Sequence, residues 1–232
     1  MTGRTLILWR HGRTAYNAGG RLQGQVDIPL DEVGQWQART AAAMLALGHE
    51  PTRIVTSDLS RAVATAATLA DLVGLPVELD PRLRERSFGE WEGLSADEIQ
   101  ARWPEEHAVW RAGGDPARTG AETRRAVAER MVAGVREHLG RMPGDGTLVV
   151  VSHGAAITLA LTALLELDPE TWRGVAGLHN AHWAVLRATQ GDAVPAVRLV
   201  GLGLGPAVHV DDWNRGVPTE ASPSTAADAM RA

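Results

Sequence analysis

Two histidines in this chain stand at the ends of apolar runs. In LILWRHGRTAYN, Leu6–Asn17, four apolar residues lead into Arg10, His11 and Gly12, with Asn17 a turn later. In LVVVSHG, Leu148–Gly154, a second apolar run delivers Ser152, His153 and Gly154. Two further runs are followed by SDLSR, which carries Arg61, and by RLRERSFGEWEG, which carries Glu85. If these ends are adjacent, one pocket holds two arginines, two histidines and a carboxylic acid. Two guanidiniums in a cleft suit a ligand with several anionic oxygens, because arginine binds phosphate bidentately and stays charged. A histidine beside such a phosphate can attack phosphorus and form a phosphohistidine. It must be neutral to attack, and nearby positive charges lower its proton affinity. A carboxylic acid can then protonate the departing alkoxide and later take a proton from attacking water. Gly12 and Gly154 would let the backbone approach the ligand, with helix N-terminal N–H groups pointing inward.

Strands and helices must alternate to bring these ends together. Thr5–Trp9 reads as a strand buried on both faces. A polar, Gly-rich loop follows. Apolar residues then recur at helical steps from Asp31 to Leu47, and Gly48 suits a C-terminal cap. Pro51–Thr56 is a second strand. Ser57 and Asp58 are good N-caps for a helix to about Gly74. Pro76–Leu79 is a third strand. Ser95 and Glu98 form a capping box for a short helix to Trp103, with Pro104 beyond it. Glu105–Gly120 is punctuated by Gly and Pro and stays unassigned. Glu122–Leu139 is a long helix, Leu148–Val151 the fourth strand and Ala155–Leu167 helical. Trp183–Arg187 and Ala196–Val200 form a final pair of strands. The pattern implies an α/β fold: a three-layer sandwich, with a mostly parallel central sheet and helices on both faces. We read one domain over residues 1–215, with an irregular insertion near 86–120 over the site. Residues 216–232, rich in Ala, Ser, Thr and Pro, read as a flexible C-terminal tail.

The bulk numbers narrow the function. Of 232 residues, ten are aromatic and eight of those are Trp, so the core must be mostly Ala, Leu and Val. Without cysteine, disulfides and thiolate metal sites are excluded. The net charge of −5 argues against a nucleic-acid partner. No stretch approaches the roughly 20 apolar residues that span a bilayer, so no membrane partner is expected. The N-terminal apolar run is too short for a signal peptide, and a cytoplasmic location is expected.

The motifs together resemble the histidine phosphatase superfamily, the phosphoglycerate-mutase-like branch with the RHG signature. Arg10–Thr14 with Asn17, Gly20–Gly34, Ser57–Ala66, Leu83–Gly93 and Val150–Gly154 fit in order, and the likeness covers roughly Leu6–Asn214. The resemblance implies that His11 is the phosphorylated nucleophile and Glu85 the proton donor and base. Arg10, Arg61 and His153 would bind the phosphoryl oxygens, with Asn17, Gln23 and Gly154 contributing. No metal or other cofactor is implied, since the arginines supply the charge that Mg²⁺ supplies in many phosphoryl-transfer enzymes. The implied partner is a small phosphorylated metabolite, and relatives suggest a homodimer.

Phosphatases and cofactor-dependent phosphoglycerate mutases share this pocket. The mutases carry a lysine and an arginine pair in the insertion. This chain has no lysine, and its pair, Arg124-Arg125, falls inside the long helix. The mutases also usually have Glu at the place of Arg13. A phosphatase is therefore preferred, with the mutase as the alternative. Tyr16–Asp27, Ser57–Ala62, His179–Leu186 and Val210–Asn214 are similar to the glucosyl-3-phosphoglycerate phosphatases, which suggests a substrate. Glu90 and Glu92 rival Glu85 as the acid, and Asn17 could be only a loop residue. Trp91 is a candidate pocket wall. His179 and His182, three apart with no third ligand nearby, make a poor metal site.

Overall fold

The computed structural model describes residues 3–117, 120–142, 144–189 and 193–216. The expected tail, beyond Gly216, lies outside the described residues. Six strands form one sheet: β1 (Thr5–Arg10), β2 (Arg53–Thr56), β3 (Val77–Leu79), β4 (Thr147–Ser152), β5 (Trp183–Ala188) and β6 (Val197–Leu204), in the order β3-β2-β4-β1-β5-β6. The first four in that order run parallel, and β5 and β6 add antiparallel. β1 and β4 are the central pair, in a register that sets Arg10 opposite Ser152. The next residues, His11 and His153, therefore leave the sheet side by side.

Successive residues of the central strands face opposite layers. Leu6, Leu8, Leu148 and Val150 pack with α6 (Arg124–Gly140) and α7 (Gly154–Leu164). Ile7, Trp9, Val149 and Val151 pack with α2 (Glu32–His49), α3 (Ser60–Val73) and Trp213 of α8 (Val210–Arg215). The expected three layers are present, built as expected on small side chains such as Ala41, Ala42, Ala62 and Ala66. The remaining helices are α1 (Ala15–Ala18), α4 (Ala96–Arg102) and α5 (Pro104–Arg111).

Several element boundaries differ from expectation. Pro104 does not merely close α4; it opens α5 at its first position, where a missing N–H removes no helical bond. Part of the stretch without a sequence assignment is thus a helix. α2 continues through Gly48 and ends where Glu50 takes a left-handed conformation, φ 43°. Neither Ser57 nor Asp58 caps α3. Asp27, from the loop after α1, accepts from Ser60 N at 2.8 Å, while Asp58 pairs with Arg84 at 2.7 and 2.5 Å.

The loop after β1 is tied down by contacts distant in sequence. A methyl group on Gly12 would lie 2.3 Å from the carbonyl oxygen of Gly34, and one on Gly34 would lie 1.9 Å from that of Arg13. The two backbones thus touch where α2 begins, so the absent side chain at Gly12 serves packing. Arg13 donates to Asp31 at 2.8 Å and to the carbonyl of Asn214. Gln37, fully buried, accepts from Arg13 N and donates to the Trp213 carbonyl.

On the opposite layer, Asp80 is buried at the end of β3. It accepts from Arg82 N, from the Arg82 guanidinium and from His138 Nε2 at 2.9 Å. Burial raises its pKa, but the hydrogen bonds from Arg82 and His138 outweigh this and hold it at about 2, below the ordinary 3.8. Because the folded-state value is depressed, the stabilisation is complete above about pH 4 and is lost as pH falls through 2. We expect Asp80→Asn to lower stability at pH 7 by on the order of 2 kcal/mol. Denaturant titrations should find the difference shrinking between about pH 4 and pH 2; an equal loss at pH 7 and pH 2 would refute the assignment.

Candidate active site

At the carboxyl ends of the parallel strands lies a cavity of about 410 Å³, the position where open α/β sheets collect ligands. Arg10, His11, Asn17, Gln23, Arg61, Glu85 and Gly154 all line it. His153 lies fully buried behind the wall, its ring centroid 5.0 Å from that of His11. The structure therefore brings every sequence-predicted site residue together.

Each histidine is oriented by a bond at Nδ1. His11 Nδ1 is 2.6 Å from the carbonyl oxygen of Gly12. A carbonyl only accepts, so Nδ1 carries the proton and Nε2 keeps its lone pair. His153 Nδ1 accepts from Arg61 Nε at 3.2 Å, so its proton sits on Nε2. The two rings present opposite chemistry, one a nucleophile and the other a donor. Burial, then Arg61 and Arg10, hold the His11 pKa well below 6.5. The same causes, with His11 added, depress that of His153. Both rings are neutral at physiological pH.

The arginines are fixed through neutral acceptors. Arg61, fully buried, donates to His153 and to the carbonyls of Val26 and Gly24, each at 2.8 Å. Arg10 donates to the carbonyl of Leu178 at 2.5 Å. Neither forms an ion pair among the described residues, so their charge is available to a ligand. Burial lowers the pKa of both guanidiniums, and Glu85 opposes that shift. Arg10 Nε, His153 Nε2 and Gln23 Oε1 are buried with no hydrogen-bond partner among the described residues. Buried polar atoms without partners are expensive; a multi-oxygen anion would satisfy the two donors. Asn17 Oδ1 is used in the capping box of α1 and accepts from Asn180, which leaves its Nδ2 for a ligand.

Backbone amides play a different part from the one expected. Gly12 N donates to Thr65 Oγ1 at 3.1 Å. The amides of Ala155 and Ala156, at the start of α7, donate to the Glu85 carboxylate at 3.2 and 2.9 Å. Arg86 N adds a third bond to it at 2.8 Å. The α7 terminus thus orients the acid, and side chains are left to hold the anion. A methyl on Gly154 would touch the Arg10 guanidinium at 3.4 Å, an ordinary van der Waals distance, so the placing of Arg10 does not require a glycine there.

Glu85 is the one carboxylate among the described cavity-lining residues. Glu92 instead ties loops together, accepting from Gln25 N, Phe88 N and Ser87 Oγ, and Glu90 does not line the cavity. Trp91 is buried within the insertion against Trp103 and Trp110; Trp110 is the one of the three that reaches the cavity. Arg86 and Arg124 also line it and were not among the expected site residues. Arg124 starts α6 and faces the cavity, whereas Arg125, one residue on, pairs outward with Asp168 and Glu170. The helical turn of 100° per residue separates the two; only a fixed helix start would have told them apart. His179 and His182 pack ring against ring at 5.5 Å, and no group of three metal-ligating side chains occurs among the described residues. No helix there is long and apolar enough to cross a membrane.

Comparison with known proteins gives the family. The family model of the histidine phosphatase superfamily (branch 1) matches residues 6–199. A glucosyl-3-phosphoglycerate phosphatase of Mycolicibacterium vanbaalenii is 40% identical over 202 residues, covering 84% of this chain and 89% of that protein. A probable phosphoglycerate mutase of Yersinia enterocolitica is 38% identical over 173 residues, covering 72% and 78%. The structure of mycobacterial glucosyl-3-phosphoglycerate phosphatase with VO3 superposes with a TM-score of 0.77 at 40% identity, covering 84% of this chain and 96% of that one. With the RHG and SHG segments side by side on β1 and β4 and the family model spanning both, the chain belongs to the histidine phosphatase superfamily.

Proposed function

We propose that this protein hydrolyses phosphate monoesters through a phosphohistidine on His11. The observation that carries the reading is the convergence on a single cavity of one neutral histidine, one carboxylic acid and two arginines that form no ion pair among the described residues. Arg10, Arg61, His153 Nε2–H and Asn17 Nδ2 hold the phosphoryl oxygens. The charge they supply requires no metal ion. His11 Nε2 attacks phosphorus; the P–N bond forms as the ester P–O bond breaks. Glu85 gives its proton to the departing oxygen. In the second half-reaction Glu85 takes a proton from water, whose oxygen bonds to phosphorus as the P–N bond breaks. Inorganic phosphate leaves, and His11 and Glu85 return to their starting states.

The substrate we propose is glucosyl-3-phosphoglycerate. Relatives of that activity match most of the chain at 40% identity. Arg124, whose Nε donates to the carbonyl of Pro169, adds positive charge beyond the phosphoryl pocket, which suits a substrate with a carboxylate, whereas Arg86 is already paired with Asp115 at 2.8 Å. The mutase alternative has weaker support, since its relative matches a shorter stretch, 173 against 202 residues. The reading also carries a homodimer, a cytoplasmic location and no nucleic-acid partner.

Incubation with glucosyl-3-phosphoglycerate, 3-phosphoglycerate and p-nitrophenyl phosphate in EDTA should release phosphate, fastest from the first. Exchange of 3- and 2-phosphoglycerate with a bisphosphate primer, without phosphate release, would identify a mutase instead. Arg124→Met should raise KM for the carboxylate-bearing substrates and leave p-nitrophenyl phosphate little changed; an equal effect on both would remove the carboxylate assignment. His11→Ala should abolish both turnover and the acid-labile, alkali-stable phosphoenzyme trapped by a denaturing alkaline quench, while the fold persists; residual activity within about tenfold of wild type would exclude a nucleophilic role. Ring-nitrogen NMR should find His11 neutral with Nδ1 protonated at pH 6, because its folded-state pKa is depressed. A titration midpoint near 6.5 would contradict the electrostatics.

A further inference from the structure

Glu85 lies in an irregular segment between the 3₁₀ turn Pro81–Leu83 and the turn Gly89–Trp91. Such a segment cannot satisfy its own carbonyls through helix or sheet bonds. Arg130, on α6, does so from outside. Its NH1 donates to the carbonyls of Arg82 and Arg84, both at 2.7 Å, and its NH2 to that of Glu85 at 2.9 Å. The remaining donors grip Glu122: Nε to Oε1 at 2.7 Å and NH2 to Oε2 at 2.8 Å. All five guanidinium N–H groups are used. Glu122 returns to the same segment, its Oε2 accepting from Ser87 N at 2.8 Å and its backbone carbonyl from Arg86 Nε at 2.9 Å. Arg130 does not line the cavity, and with all five donors engaged by the protein it has none left for the anion.

We infer that Arg130, locked by Glu122, is the positioning residue that holds Glu85 at the leaving group. The inference rests on the reading of Glu85 as proton donor. The carboxylate of Glu85 is fixed from one side by the amides of α7, and its backbone from the other side by Arg130. Freeing the backbone lets the carboxyl group drift while the phosphoryl pocket, built on β1, α3 and β4, keeps its geometry. The effect must therefore fall on proton transfer and not on phosphate binding. A planar fork is required, because a lysine carries one compact ammonium and cannot span three carbonyls and a carboxylate.

The test compares an alkyl phosphate, whose leaving group needs a proton, with p-nitrophenyl phosphate, whose leaving group does not. Arg130→Met should lower kcat/KM, which reports the phosphorylation half-reaction alone, on the alkyl phosphate by roughly 10- to 100-fold, with kcat/KM for p-nitrophenyl phosphate within about threefold of wild type. Arg130→Lys should recover little of the loss. In a Glu85→Gln background, Arg130→Met should add no further loss. Glu122→Gln, which keeps the side chain's size, should reproduce the same selectivity in weaker form and serves if Arg130→Met does not fold. Equal losses on both substrates, or additive losses in the double variant, would overturn the inference. If Glu85→Gln itself lacks leaving-group selectivity, the acid reading has failed instead, and Arg130 loses its role with it.

Discussion

Positive charge kept unpaired in a place that water does not screen is the constraint on which the rest of the site depends. Arg61 is fully buried, yet its guanidinium is met by two carbonyls and a neutral imidazole. A carboxylate there would neutralise it and remove its use for an anion. Burying such a charge is unfavourable unless every donor has a good acceptor, and the loop carrying Gly24 and Val26 supplies two. Burial first, and the same charge second, keep both histidines neutral. One electrostatic arrangement thus prepares the anion site and the nucleophile together.

The sheet supplies the stiffness this arrangement needs. β1 and β4 are the two central strands, and their pairing lets two histidines leave the sheet as neighbours. A buried parallel pair cannot slip by one residue without turning every side chain to the wrong layer. The alternation of Leu6 and Leu8 with Ile7 and Trp9 between two separate apolar clusters is what fixes that register.

The acid is held by other means. No strand carries Glu85; a carboxylate on the α7 amides and a backbone on Arg130 keep it in place. The N-terminus of α7 carries a partial positive charge and free N–H groups, a natural seat for an anion. In this chain a protein carboxylate takes the seat, and the ligand is left to arginines, histidines and an asparagine. The division places the proton donor beside the phosphoryl group without competing for the same donors.

The sequence by itself determined the α/β layering and the strand ends with their chemistry. Apolar runs, their lengths and the residues that end them are local properties, and Arg10, His11, Arg61, Glu85 and His153 were all legible from them. Tertiary structure decided what depended on distant partners. Pro104 read as a stop because local sequence cannot say whether a new helix begins there. Asp27 caps a helix 33 residues away, and no local signal links the two. Trp110, and not Trp91, reaches the cavity because the packing of α5 over the site sets which ring faces inward. Arg124 and Arg125 take opposite roles only once the start of α6 is fixed. Hydrogen-bond geometry and helix phase are three-dimensional quantities, and spacing along a chain does not contain them.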